Sequence, residues 1–345
     1  MRKTILTSGN LSLTQLLLKK LVICFVLFSL IRIFVAMNNE EKDERYMRRC
    51  LQLAANGMQN ARPNPMVGAV IVSGDRIIGE GYHQRYGEGH AEVNAFASVR
   101  AADEPLLAES TIYVSLEPCS HYGKTPPCAD LIIRKGVKRC VVGCVDPFAE
   151  VSGRGIQRLR DAGITVITGV LEQECRWLNR RFFTYHSKHR PYIILKWAQS
   201  ADGFIDKDYK AIQLSNSQTQ IRSHKLRADE DAILVGHTTY DREHPLLNVR
   251  YWSGPDPKRI VLTHDRPLPL LIDDLYMQGI QSLIVEGGSQ THQSFIESGL
   301  WDELRVETAP MVLGRGTKAV SIPANARLLR QETYDGNTLA TYLYQ

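Results

Sequence analysis

Apolar positions along this chain switch repeatedly between a period of about 3.6 residues and short unbroken or alternating runs, the signature of helices interleaved with strands. Residues 44–56 carry the helical period, and the runs at 67–72 and 77–82 predict two strands. Ala91, Ala95 and Phe96 share one face of a helix expected over His90 to Arg100. A strand at Thr111–Leu116 (TIYVSL), a helix at Cys128–Lys135, a strand at Arg139–Cys144, a helix at 151–162 and a strand at 164–168 follow. Gly153-Arg154-Gly155 lacks the strand-then-GxGxxG setting of a phosphate cradle and reads as a helix-entry turn. A helix over Trp177–Tyr185 ends this stretch, and Ser187–Pro191 (SKHRP) reads as a charged, proline-ended linker. Beyond it come a buried-strand run at 192–198 (YIILKWA), a helix at 215–227, strands at 233–236, 259–263 and 283–285, and a helix at 271–278. This alternation predicts an α/β protein, and 345 residues suffice for two cores, one over 37–187 and one over 191–345.

Residues 1–36 stand apart. Leu21–Ile31 is apolar but for Ser29, preceded by Lys19-Lys20 and broken by Arg32. Eleven residues fall short of the roughly 20 that cross a bilayer. Phe34-Val35-Ala36-Met37 is a poor cleavage site for export. The leader therefore reads first as a mis-assigned start, with translation beginning at Met37, and second as a membrane tether. Charge supports the separation. The net +5 comes entirely from Arg2, Lys3, Lys19, Lys20 and Arg32, with no acid among residues 1–36, so the body is neutral, which argues against a nucleic-acid groove. Seven cysteines with no disulfide-like spacing suit the reducing cytoplasm. Cys50, Cys140, Cys144 and Cys175 read as buried thiols, and Cys24 lies in the leader.

Two cysteines belong to a chemical pattern instead. His90-Ala91-Glu92, Glu117-Pro118-Cys119 and Pro127-Cys128 together make the donor set of a zinc-activated hydrolytic deaminase. His90, Cys119 and Cys128 would hold Zn²⁺, leaving the fourth tetrahedral position for water, while Glu92 stays off the metal and moves protons. Each ligand is expected where a helix begins, because a helix N-terminus favours the thiolate. A structural zinc with Glu92 as an ordinary surface carboxylate is the rival reading, disfavoured because such sites close the fourth position with a protein ligand. Eight residues, Ser120–Pro127, separate the cysteines, where the common signature has two.

With that spacing, His83, His90-Ala91-Glu92, Leu116-Glu117-Pro118-Cys119-Ser120-His121 and Lys124-Thr125-Pro126-Pro127-Cys128 resemble the bifunctional deaminase/reductases of riboflavin biosynthesis, as does Pro63-Asn64-Pro65-Met66-Val67-Gly68 upstream. The resemblance runs from about Asp43 to the C-terminus. It implies a cytidine-deaminase-like domain with a mixed sheet followed by a dihydrofolate-reductase-like domain. It also implies a diaminopyrimidinone ribosylamine 5′-phosphate as substrate, with Asn64, His83 and Lys124 holding the pyrimidine and its phosphate. In the second half the implied cofactor is NADPH, with Ala198, Thr239, Glu243 and Gly288 on the cofactor side. Arg227 and Arg250 would contact the substrate phosphate, Leu247 and Glu286 would also face the substrate, and hydride would pass to the ribose anomeric carbon of the opened sugar to give the ribityl product. Leu283-Ile284-Val285-Glu286-Gly287-Gly288 reads as a strand running into a glycine turn whose amides approach a phosphate.

The second half departs from the family pattern in two places. Glu243 stands where an aspartate is usual, and the strand ending at Thr263 passes through residues 264–270 almost directly into a helix. The family has extra strand and helix there, and a βαβ unit needs roughly 30 residues. Weakened NADPH binding is therefore expected. The partner is expected to be a small-molecule pyrimidine ribosyl phosphate rather than nucleic acid, with membrane contact only through the leader, and a homo-oligomer stays open. Two rival readings are a nucleic-acid or nucleoside deaminase and a zinc-stabilised protein that sequesters substrate without turnover.

Overall fold

The computed structural model describes residues 39–120, 126–147 and 152–345, which form two sheets flanked by helices. The leader and Lys124 lie outside the described residues. In the first half, helix α1 (39–55) precedes strands β1 (Gly68–Ser73) and β2 (Arg76–Tyr82), and α2 (Ala91–Ala97) leads to β3 (Thr111–Leu116). Next come α3 (Cys128–Lys135), β4 (Arg139–Cys144), α4 (Arg154–Asp161), β5 (Thr165–Thr168), α5 (Glu172–Leu178) and α6 (Arg180–Lys188). The strand order is β2-β1-β3-β4-β5, antiparallel around β1 and parallel from β3 to β5, so the sheet is mixed as expected.

Period-two alternation builds the two faces of this sheet. Ile71, Ile112, Val114 and Val142 pack on one side against Ala91, Ala95 and Phe96 of α2, Ile132 of α3 and Leu159 of α4. Their neighbours Val70, Val72, Tyr113 and Val141 face Tyr46, Met47 and Leu53 of α1 on the other. Cys50, Cys140, Cys144 and Cys175 are buried free thiols within these layers.

In the second half, β6 (Tyr192–Gln199), α7 (Ser217–Asp229), β7 (Ala232–Gly236), α8 (His237–Glu243) and β8 (Lys258–Leu262) are followed by α9 (Leu268–Met277), β9 (Ser282–Val285) and α10 (Ser289–Glu297). Strands β10 (Glu303–Thr308), β11 (Ala326–Tyr334) and β12 (Asn337–Tyr344) complete a seven-stranded sheet of order β11-β12-β10-β6-β9-β7-β8. The strands from β10 to β8 are parallel. Strand β8 is the edge, and residues 263–267 carry the chain straight into α9, so no further strand among the described residues covers it.

Two local expectations need correction. The helix expected over Trp177–Tyr185 is two helices broken at Asn179, because Asn179 is buried and spends its amide on the Met66 backbone: Nδ2 donates to Met66 O and Oδ1 accepts from Met66 N, both at 2.8 Å. No helix begins at Cys119 among the described residues; α2 and α3 do start at the other two ligands, with His90 capping α2 and Cys128 opening α3.

Charged side chains tie the halves together. Arg181 of α6 forms a buried bidentate pair with Glu230, and Arg62 Nη1 lies 2.6 Å from Asp231 Oδ1. Arg180 approaches the fully buried Glu303, which also accepts from Arg305 Nε (2.6 Å) and Tyr192 Oη (3.0 Å). Arg190 at the connection donates to both carboxylate oxygens of Asp302, pinning the segment read as a linker.

Burial would push the Glu303 carboxyl up, but Arg305, Arg180 and Arg181 outweigh it and hold it at about 2. A carboxyl depressed in the folded state adds stability above its ordinary pKa of about 4.3, and that stability is lost as pH falls towards 2. Glu303→Gln is expected to cost about 3–5 kcal/mol in neutral denaturant unfolding, since it leaves buried cations unpaired. It should also flatten the loss of stability between about pH 4.3 and 2 relative to the parent chain.

Candidate active sites

The first site is assembled from the ends of three elements. His90 caps α2, Cys119 follows β3, and Cys128 opens α3. Cys119 Sγ and Cys128 Sγ lie 3.6 and 3.4 Å from His90 Nδ1, and all three donor atoms fall within 4.8 Å of one another. Zinc bonds of about 2.0 Å to nitrogen and 2.3 Å to sulfur at tetrahedral angles put N and S about 3.5 Å apart, so this set fits the ion and leaves one position open. The Cys128 thiol hydrogen bond lowers the Cys119 pKa to about 4, and the same contact, with burial, raises that of Cys128. The Cys128 backbone N–H, 3.3 Å from Cys119 Sγ, adds to the charge stabilisation that a helix at Cys119 was expected to give.

Glu92 is only 3% exposed, on the first turn of α2. Burial and the neighbouring Cys119 charge raise its carboxyl to about 7, so it is poised to take up and release a proton near neutrality. Glu117, the acid before the metal-ligand cysteine, has a different job. Its carboxylate accepts from the backbone N–H groups of Gly153 and Gly155 (both 2.9 Å), so the Gly153-Arg154-Gly155 turn enters α4 with its amides already used. A Cβ at Gly155 would meet Pro118 O at 2.0 Å; glycine there lets α4 close on the segment that presents Cys119.

Asn64 and His83 face the same cavity of about 500 Å³ as His90, Glu92 and Cys119. Burial lowers the His83 pKa, and a neutral ring with Nδ1–H donating to Gly89 O and Nε2 accepting from Asn64 Nδ2, both at 3.1 Å, satisfies both contacts. Sequence reasoning missed the opposite wall: Phe182 and Tyr185 of α6 and, from the second half, Gly279 and Gln281. Nothing in a lone glutamine before an apolar strand marks it as part of a site 190 residues upstream in the chain, and only the tertiary fold brings it there.

A cavity of about 750 Å³ lies where β6, β7 and β9 end. Ala198, Thr239, Glu243, Gly288, Arg227, Arg250 and Glu286 all line it. Leu247 does not; its side chain is 3% exposed and packs in the core with Tyr192, Leu226 and Ile233, so a contact to substrate is left to its backbone. Arg227 is committed as well, donating Nη2 to Glu286 Oε2 at 2.6 Å and Nη1 to Asn248 O at 3.1 Å, which makes it an anchor for Glu286 rather than a free phosphate ligand. Arg250 is exposed, and its backbone N–H donates to His224 Nδ1 at 3.1 Å. Burial and the Arg227 and Arg250 charges hold His224 down at about 4, neutral and able to accept. Lys196, missed in the sequence, also lines the cavity; burial alone would raise the Glu286 carboxyl, and Lys196 with Arg227 brings it below its usual range. At Gly288 (φ 56°) a Cβ would crowd Thr239 Oγ1 at 3.0 Å, so glycine keeps the turn into α10 open to a ligand.

The described helices include none long and apolar enough to cross a membrane. Residues 40–144 match the cytidine and deoxycytidylate deaminase zinc-binding region, and residues 191–272 and 265–337 match the RibD C-terminal domain. The riboflavin biosynthesis protein RibD of Aquifex aeolicus is 38% identical over 327 positions, covering 80% of this chain and 89% of that protein. The Escherichia coli RibD protein is 36% identical over 337 positions, covering 81% and 90%. A crystal structure of the diaminohydroxyphosphoribosylaminopyrimidine deaminase/5-amino-6-(5-phosphoribosylamino)uracil reductase of Thermotoga maritima superposes with a TM-score of 0.83 at 32% identity, covering 89% of this chain and all of that one. The 327 positions shared with the Aquifex protein draw on 80% of 345 residues, about 276, so about fifty positions have no counterpart here. The two matches to the C-terminal domain overlap at 265–272, where β8 passes into α9.

Cys119→Ser and Cys128→Ser are each expected to lose the metal, whereas Glu92→Gln should keep about one zinc per chain. Metal analysis of the three purified variants checks this, and a zinc-free Glu92→Gln protein would make Glu92 a ligand.

Proposed function

The chain belongs to the RibD family, enzymes of riboflavin biosynthesis with deaminase and reductase activities, and from that premise we propose which residues carry each step and on what substrate. The unit over 37–187 would deaminate 2,5-diamino-6-(5-phosphoribosylamino)pyrimidin-4-one, and the unit over 191–345 would reduce its ribosyl group. The observation that carries the first assignment is the open three-donor set beside the buried carboxyl of Glu92. Zinc, when bound by His90, Cys119 and Cys128, supplies the acidity that makes water a nucleophile at neutral pH. Glu92 would take the proton from that water on its carboxylate and hand it to the departing amine, so ammonia leaves neutral. Asn64 and neutral His83 would orient the pyrimidine. Lys124, outside the described residues, is proposed for the phosphate on the resemblance alone.

NADPH, when bound, supplies a hydride. Gly288, Thr239, Ala198 and Glu243 would flank it, with Arg250 reaching the substrate phosphate. Lys196 and the Arg227-anchored Glu286 would sit beside the pyrimidine-ribose. The direct step from β8 into α9 leaves β8 as an edge beside this cavity, and weaker dinucleotide binding is proposed from it. The free thiols and neutral body support a cytoplasmic enzyme acting on a small molecule rather than nucleic acid.

Glu92→Gln is expected to lower ammonia release by about 10²–10⁴ with zinc retained. Unchanged release would remove the proton-transfer role, and a parent chain that binds substrate yet releases no ammonia would favour the sequestering protein. For the reductase, titration beside the Thermotoga protein should give an NADPH Kd at least about tenfold weaker, the equivalent of 1.4 kcal/mol of lost wall contact. Equal affinities would show that the missing segment is not needed for the cofactor.

A further inference from the structure

The loop that presents Asn64 is held from both halves of the chain. Its ends are fixed by Arg62, paired with Asp231 at 2.6 Å, and by Met66, clamped by Asn179. Between them, Gln281 Nε2 donates to Pro63 O at 2.7 Å, on the carbonyl of the peptide that leads into Asn64. Gln281 is 3% exposed and lines the deaminase cavity with Gly279. Its own backbone is secured independently: Gln281 N donates to Asp231 Oδ2 at 2.8 Å, Ser282 N to the same oxygen at 3.1 Å, and Gln281 O accepts from Tyr192 N at 2.9 Å. The side chain can therefore change while the main chain stays in place.

We infer that Gln281 is a positioning residue of the deaminase, contributed by the reductase half, which fixes Asn64 for substrate by holding the Pro63 carbonyl. The geometry has two consequences. The deaminase cavity is composite, so its substrate affinity depends on a residue beyond the deaminase unit. The amide acts on where Asn64 sits and not on zinc or Glu92, so its loss weakens substrate binding and leaves the proton transfers intact. The Pro63–Gln281 hydrogen bond is part-buried, and a carbonyl deprived of its donor there reorganises towards another, so the peptide after it moves with it.

This inference rests on Asn64 as a substrate contact, so the test uses a double-mutant cycle on the intact, zinc-loaded chain. Gln281→Met keeps the volume and removes the donor. Steady-state ammonia release should show KM raised about three- to tenfold, the loss of one hydrogen bond's stabilisation, with kcat within about twofold and zinc content unchanged. Asn64→Ala should raise KM on its own, and adding Gln281→Met to it should change KM little further. If Gln281→Met destabilises the chain, Gln281→Ser, which is smaller, replaces it with the same split expected. A normal KM in Asn64→Ala would overturn the Asn64 reading and this inference with it. A raised KM in Asn64→Ala beside a normal KM in the Gln281 variants would overturn this inference alone. So would a Gln281 effect that falls on kcat or zinc, or that persists undiminished in the Asn64→Ala background.

Discussion

Three donor atoms from three separate elements must meet at the spacing of one small cation, and much of the first half is arranged to satisfy that constraint. The two sulfurs come within 3.4–3.6 Å of His90 Nδ1 only because the starts of α2 and α3 converge on the end of β3, the central strand of the sheet. Glu117 holds the turn into α4, and Gly155 lets α4 close on Pro118 just before Cys119. The thiol nearest that turn is stabilised as an anion by a backbone amide as well as by its partner. Burial of Glu92 follows from the same packing, and its raised pKa is the electrostatic result.

Much of this was legible in the sequence. Thr111–Leu116, Cys128–Lys135 and Arg139–Cys144 stand as read, because each is a short apolar or amphipathic run bounded by turn residues. The ligand set was legible because metal chemistry restricts residue type and spacing together. Other features were set by tertiary partners that leave no local mark. The break at Asn179 exists to clamp Met66, and the helix expected at Cys119 is not needed once the Cys128 amide serves the sulfur. Leu247 matched by position, yet its side chain turned into the core, and Lys196 drew no notice because a lysine in a strand is ambiguous until its neighbours are known.

The two halves are linked by more than sequence. Buried pairs such as Arg181–Glu230 are costly to leave half-made, which favours one fixed docking of the halves. That docking puts Gln281 on the loop of the first site and runs β7 and β9 on to the second cavity. The second cavity is the less complete: its glycine turn, Lys196 and Glu286 are in place, while β8 is left as an edge.

X-ray absorption at the zinc edge of the intact chain decides whether the metal keeps an open position. Two sulfurs at about 2.3 Å, one nitrogen near 2.0 Å and one light-atom ligand that changes when a substrate analogue is added are expected. A shell closed by four protein ligands and indifferent to the analogue would contradict an open position.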